Sequence, residues 1–339
     1  MGINGRRWLT ALAVALLLVS CARQPATLQP ASSETEPERI TQIPLVGSGY
    51  VYDVAVGEGA VWVTSHAGLY RIDPATGAAV NVLPHDYLFR VALGHGAVWI
   101  TTGEGRVLRV DPGSNTVTAE IDVGAGPVTS LAVSEDAVWV SAASDLVRID
   151  PATNEVVARL RSQRGFGDVA FGEGALWVIA GANKEGEVWR IDPETTELLQ
   201  RIPLANPSFW NEIAAGEGAV WVTSSPTVHS DGVSLVYLHR IDPSTGDITT
   251  EIPLGDGPWG LAAEEGAGSY SALTLGEGSV WVKVDYEGIL VRIDPSNLSV
   301  SETLEGIPSG SSDVSPGLAV GAGAVWVTAP GAITYISLS

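Results

Sequence analysis

From residue 53 the apolar positions come in short runs, separated by polar breaks that are just as short. "DVAVG" is followed by "EG", then by "AVWVT", "LYRID", "DPATG" and "AAVNVL", which brings the chain to residue 83. Brief, Val-rich, alternating runs predict β-strands and are too short for helices. Alternation puts Val54 and Val56 on one face and Ala55 on the other, and all three are apolar. Such a strand is covered on both faces. The breaks carry turn chemistry. Gly59 accepts positive φ, Pro74 presets φ, Asp73 caps, and Gly77 tolerates the left-handed region.

This unit recurs to the end of the chain. Its tryptophan falls at Trp62, Trp99, Trp139, Trp177, Trp221, Trp281 and Trp326, at spacings of 37, 40, 38, 44, 60 and 45. An "R-[IV]-D-P" motif follows each of the first six tryptophans, beginning at Arg71, Arg109, Arg148, Arg190, Arg240 and Arg292. Four short strands in about 40 residues make a β-propeller blade. The last unit ends after "AITYIS" (332–337) and lacks a fourth strand, while "ITQIPLV" (40–46) precedes the first unit and matches the fourth strands "RIPLA" and "EIPLG". The expected fold is therefore all-β, a seven-bladed propeller over 40–339. Its N-terminal strand completes the last blade and removes the exposed edges. The repeated tryptophans are core, because stacked blades bury large apolar side chains.

The segment before residue 40 reads differently. Arg6 and Arg7 precede a short apolar run, "WLTALAVALLLVS", which is followed by the single cysteine, Cys21. This is a signal peptide over 1–20 rather than a membrane span, and "LVSC" places lipid attachment on Cys21. Residues 21–39 are rich in Pro, Ser, Thr and Glu and predict a disordered tether. The expected location is extracytoplasmic, held to a bacterial membrane by the lipid alone.

Charge narrows the partners. The net charge is −21, with Lys184 and Lys283 the only lysines. So acidic a surface repels phosphate backbones, which argues against nucleic acid. A monomer that takes a protein, peptide or glycan partner fits better.

Function is expected where the repeats differ. The turns between first and second strands, and between third and fourth, stay short and lie on one rim. All the variation falls on the other rim, in segments such as 84–90, 205–212, 224–237, 255–271 and 306–317. These segments and the adjoining short loops carry His66, His85, Tyr87, Phe89, Trp210, His229, Trp259, Tyr270 and Tyr286. Aromatic residues on scaffolded loops suit ligand or partner contact. His95 replaces a turn glutamate on the opposite rim and reads as solvated; His239 sits in a third strand and reads as packing. A further column lies just before each first strand: Asp53, Arg90, Ser130, Asp168, Glu212, Ala272 and Gly317. In a propeller these positions ring the mouth of the central channel. Asp53, Asp168 and Glu212 are candidate oxygen ligands for Ca2+ or Mg2+, and Arg90 is a candidate ion-pair partner for one of them.

The repeat "GEGAVWVT…RIDPxT" resembles the seven-bladed propellers of the streptogramin B (virginiamycin B) lyase-like and YVTN/NHL-type bacterial families over about residues 40–339. For the lyases, the resemblance implies a His with a Glu-x-His pair and a divalent metal on the loop-bearing face, opening a lactone ester by elimination. None of His66, His85, His95, His229 and His239 has Glu two residues before it. Two readings follow. One is a non-catalytic binding propeller using Asp53, Arg90, Asp168, Trp210, Glu212, His229, Trp259 and Tyr286. The other is a metal-assisted lyase or hydrolase acting on a lactone or ester, with His66, His85 or His229 as base and Asp53, Asp168 and Glu212 at the metal.

Overall fold

The computed structural model describes residues 39–124, 128–181, 186–204, 212–224, 236–254, 271–284, 288–308 and 316–338. Cys21, Trp210, His229, Trp259, Tyr270 and Tyr286 lie outside the described residues, as do residues 1–38, where a signal peptide and tether are expected. Residues Arg39–Ser339 form one compact unit.

The described residues fold into twenty-eight strands, β1 to β28, in seven four-stranded antiparallel sheets. In the first blade the order is β2 (Val51–Gly57), β3 (Ala60–Ser65), β4 (Gly68–Ile72) and β5 (Ala79–Pro84). The innermost strands of the later blades are β6 (Leu88–Gly94), β10 (Val128–Val133), β14 (Phe166–Gly172), β18 (Ile213–Gly216), β22 (Ser271–Gly276) and β26 (Leu318–Gly321). Each touches the next, and β26 returns to β2, so the ring is closed. The fold is a seven-bladed β-propeller. In the last blade β1 (Ile40–Pro44) pairs with β28 (Ala332–Ser337), outside β27 (Ala324–Ala329) and β26. The N-terminal strand thus supplies the outer strand that the C-terminal unit lacks.

Packing follows the repeat. All seven motif tryptophans are fully buried, and each belongs to an apolar cluster shared with the following blade. Trp62, for example, packs with Val91, Val98 and Leu108 of the second blade. Each indole N–H is also satisfied. Trp62 donates to the Gly57 carbonyl at 3.1 Å and Trp177 to that of Gly172 at 3.1 Å; Trp139 uses the Ser134 hydroxyl instead, at 3.2 Å. The glycine that closes the first strand has a packing reason as well. A Cβ on Gly172 would meet the Ala215 carbonyl oxygen of the next blade at 2.2 Å. The turn that follows needs positive φ twice, at Glu173 (50°) and Gly174 (74°), which is the type I′ geometry that matches strand twist.

The motif arginines lie directly opposite the tryptophans and cover them. Arg71 stands 5.5 Å from the Trp62 ring, Arg109 5.2 Å from Trp99 and Arg292 5.1 Å from Trp281, with Arg148, Arg190 and Arg240 stacked likewise. In the seventh blade Tyr335 takes this place, edge-on to Trp326 at 5.0 Å.

Candidate functional site: the channel mouth and its aromatic ledge

The column of residues before the first strands does line the channel mouth. Asp53, Arg90, Ser130, Asp168, Glu212, Ala272 and Gly317 surround a funnel of about 190 Å³. The inner strands start at this rim and converge here, so one position per blade faces the axis.

The carboxylates are tied into the scaffold. Asp53 Oδ1 accepts the N–H of Val54 at 2.9 Å, and Oδ2 accepts that of Val91, one blade on, at 3.0 Å. Asp168 repeats the device three blades later, with Val169 N at 2.9 Å and Ile213 N at 2.8 Å. Asp168 Oδ1 also accepts the Ser130 hydroxyl from the preceding blade. Hydroxyls on the second strands brace the same ends: Arg90 N donates to Thr101 Oγ1 at 3.0 Å, and Glu212 N donates to Thr223 Oγ1 at 3.1 Å.

Arg90 reaches across the mouth to Glu212, with Nη2 3.8 Å from Oε1. Burial pushes the Glu212 carboxyl well above the ordinary 4.5; the neighbouring Asp168 charge adds to this, and Arg90 opposes it. Burial likewise raises Asp53, against the pull of Arg90 and of its two backbone N–H donors. Arg90 is desolvated too, but the three surrounding carboxylates hold its guanidinium above its usual value. The site therefore disfavours the charged forms of Asp53 and Glu212 and favours the charged form of Arg90. Among the described residues no three His, Cys, Asp or Glu side chains form a group that could hold a metal ion.

The histidines lie elsewhere. His66 packs edge-on against Tyr87 at 4.3 Å, with Nδ1 buried and lacking a hydrogen-bond partner. His85 Nδ1 lies 2.8 Å from the carbonyl of Asp86. Neither lines the funnel. His95 is exposed and contacts the Ser134 carbonyl at 3.0 Å. His239 is buried, with Nε2 2.7 Å from the Ser224 hydroxyl.

Blades one and two present an aromatic ledge. The loop pattern of the sequence points to Tyr87 and Phe89 there, and not to Tyr50 and Tyr52, which read as part of a strand. Tyr52 is buried edge-on to Phe89 at 4.9 Å, while Val46, Tyr50 and Tyr87 are 88%, 54% and 50% exposed. The other exposed large apolar residues described, Val80, Val117, Val157, Leu199 and Ile248, are spread along outer strands, one per blade. Tyr87 holds φ at +57°, a costly conformation for a bulky residue. Its N–H donates to the His66 carbonyl at 3.1 Å, and its carbonyl accepts Gly103 N at 3.0 Å. Gly103 has no side chain to block the ledge, since a Cβ there would stand 3.2 Å from that of Tyr87. A buried lysine was missed as well. Lys283 is fully buried on β23 (Ser279–Val284), at the position held by Thr64, Thr101, Thr223 and Thr328 in other blades.

No protein-family model matches this chain, and no curated protein matches its sequence. Solved structures do. A chain of Kuenenia stuttgartiensis hydrazine synthase superposes with a TM-score of 0.71 at 12% identity, covering 86% of this chain and 96% of that one. The WD40 domain of Neurospora crassa Pan2 gives 0.63 at 14% identity, over 88% and 95%. The computationally designed Ika8 protein gives 0.58 at 15% identity, over 87% and 99%. At such identities the likeness is one of fold.

Proposed function

We propose that this chain is a non-catalytic binding propeller, lipid-anchored outside the cytoplasm, that holds a protein or peptide partner on its variable rim. On this reading it belongs with the streptogramin lyase-like and YVTN/NHL-type propellers in repeat pattern and not in chemistry. The observation that carries the proposal is the ledge. Tyr50 and Tyr87, each hydrogen-bonded through its backbone to His66, are half-exposed next to the packed Tyr52–Phe89 pair, and Tyr87 is held in a strained backbone conformation. Strain maintained at an exposed aromatic residue suits pre-organised contact.

The funnel supports binding over metal-assisted catalysis. Asp53 and Asp168 each accept backbone N–H groups on both carboxylate oxygens, and the Arg90 guanidinium already faces Glu212 across the mouth, so the positive charge there is supplied by the chain itself. His66 and His85, the described candidates for a base, stand apart from these acids. The route of the chain is compatible with an anchor. Arg39 meets Ser337 on the short-turn rim, so the polypeptide joins the ring on the side away from the ledge.

The test is site-specific photocrosslinking in the source cells. A photoreactive residue at Tyr50 or Tyr87 should yield one discrete adduct, and the same residue at Glu194 on the opposite rim should yield none. Equal labelling from both rims, or no adduct from the ledge, would sink the proposal.

A further inference from the structure

The column of stacked arginines stops at the seam where the ring closes. In the second blade Arg109 shows what this side chain does. Its guanidinium stacks on Trp99 and reaches the turn of the third blade, donating from Nη1 to the Pro151 carbonyl at 2.7 Å and to Asn154 Oδ1 at 2.9 Å. In the fourth blade the fourth-strand residue Gln200 fills the same kind of cleft, donating to the Thr245 carbonyl at 2.9 Å and lying where a Cβ on Gly246 would be.

At the seam both fillers are replaced. Tyr335 stands in the arginine position, and Thr41, its register partner on β1, stands where Gln200 pairs with Arg190. The facing turn is Asp73–Gly77, in which Gly77 (φ 70°) takes the place of Asn154 (φ 61°). The result is an open cleft of about 440 Å³ between Trp326 and Tyr335 on one side and Pro74 to Gly77 on the other, with Thr41 to Pro44 as its third wall. That size lies within the range of small-ligand pockets.

We propose that this seam cleft is a binding site for an arginine side chain of a partner protein. The molecule's own repeats provide the argument, because the equivalent cleft between the second and third blades is built around the Arg109 guanidinium, supplied in cis. The Pro74 carbonyl corresponds to the Pro151 carbonyl that Arg109 uses. Tyr335 offers an aromatic face for the cation in place of the tryptophan it covers. A net charge of −21 attracts a cationic side chain and disfavours an anionic one. A planar fork of donors suits a carbonyl beside a ring better than an ammonium does. The site is on the short-turn side, away from the ledge, so it does not rest on the ledge having a partner.

The test is titration of the full chain in detergent with N-acetyl-arginine amide, followed by the amide resonances of Ala75, Thr76 and Gly77 and the indole N–H of Trp326. Saturable shifts confined to these groups are expected, with N-acetyl-citrulline amide, neutral and nearly isosteric, at least about tenfold weaker. Tyr335→Arg places the repeat's own side chain in the cleft and should abolish the shifts. Gly77→Asn restores the acceptor seen at Asn154, in a turn position where Asn115 and Asn154 already hold positive φ, and should tighten binding. Equal binding of citrulline, shifts that persist in Tyr335→Arg, or no gain from Gly77→Asn would each overturn the assignment.

Discussion

Asp168 and Ile213 belong to different blades, yet Oδ2 of the first accepts the backbone N–H of the second at 2.8 Å. Asp53 holds Val91 in the same way at 3.0 Å. An inner strand at a propeller mouth has no hydrogen-bonded neighbour on its channel side, so its first N–H needs an acceptor from elsewhere. These aspartates provide one and join consecutive blades in doing so. Asp168→Ala leaves buried N–H groups short of a partner and should cost about 1–3 kcal/mol in urea unfolding. Asp168→Asn keeps one carbonyl oxygen and should cost less. Equal losses from the two variants would show that charge rather than acceptor geometry matters.

The half-buried acids at the mouth also set a pH dependence. Burial holds Asp53 and Glu212 above the ordinary carboxylate range, so the folded protein binds their protons more tightly than the unfolded chain does. Their contribution is greatest below the ordinary value and is lost as pH rises through the raised folded values. The turn aspartates Asp111, Asp192, Asp242 and Asp294 act in the opposite sense. Hydrogen bonds within their turns lower them, so they stabilise above the ordinary value and lose that effect as pH falls through the depressed ones. Glu212→Gln should therefore stabilise the protein at about pH 8, and the gain should fade towards about pH 4. A gain independent of pH would remove Glu212 as the source.

Among the stacked arginines, Arg109 is expected to act as an interblade tie. Arg109→Ala loses a cation–π contact with Trp99 and two hydrogen bonds to the third blade. At a half-buried site this should cost about 1–2 kcal/mol. Arg109→Lys keeps the charge without the planar fork and should recover less than half of the loss. Full recovery by lysine, read from urea midpoints, would mean that simple charge suffices.

Much of this was legible from repetition. A period read at Trp62 predicts Trp326, and aligned blades place Asp53, Arg90, Asp168 and Glu212 around one channel. The use made of those residues was not legible. The N–H that Asp53 accepts belongs to Val91, and nothing in local sequence shows that a carboxylate spans two blades. The ledge was half hidden because "GSGYVYD" reads as the start of a strand, whereas Tyr52 packs edge-on against Phe89 and the Tyr50 carbonyl accepts the His66 N–H. The seam cleft appears only when Tyr335 is matched against the arginines and Thr41 against Gln200, across the two ends of the chain.

The ring closure makes a separate prediction. β1 covers the edge of β28, and Leu45 just beyond it is almost fully buried. A chain lacking residues 40–45 leaves β28 with unpaired backbone groups along an exposed edge. It should lose cooperative unfolding and self-associate on size-exclusion chromatography. A monomeric, fully cooperative truncation would show that the seventh blade stands with three strands.

The ledge is open to a trade-off test. Tyr87 holds φ at +57°, which costs a non-glycine residue about 1 kcal/mol or more. Its ring recovers part of that through the edge contact with His66, yet half of the side chain is in solvent. Tyr87→Gly removes strain and contact together. Urea stability should therefore change by no more than about 1 kcal/mol in either direction. Capture of the partner identified from Tyr50 crosslinking should fall at least about tenfold, since a lost central aromatic anchor is worth more than 1 kcal/mol. Glycine leaves the rest of the ledge in place, with Tyr52 still packed on Phe89, so folding and binding separate cleanly. A loss of several kcal/mol in stability would mean that Tyr87 is strained to fill the rim, and the ledge would then be packing rather than a binding surface.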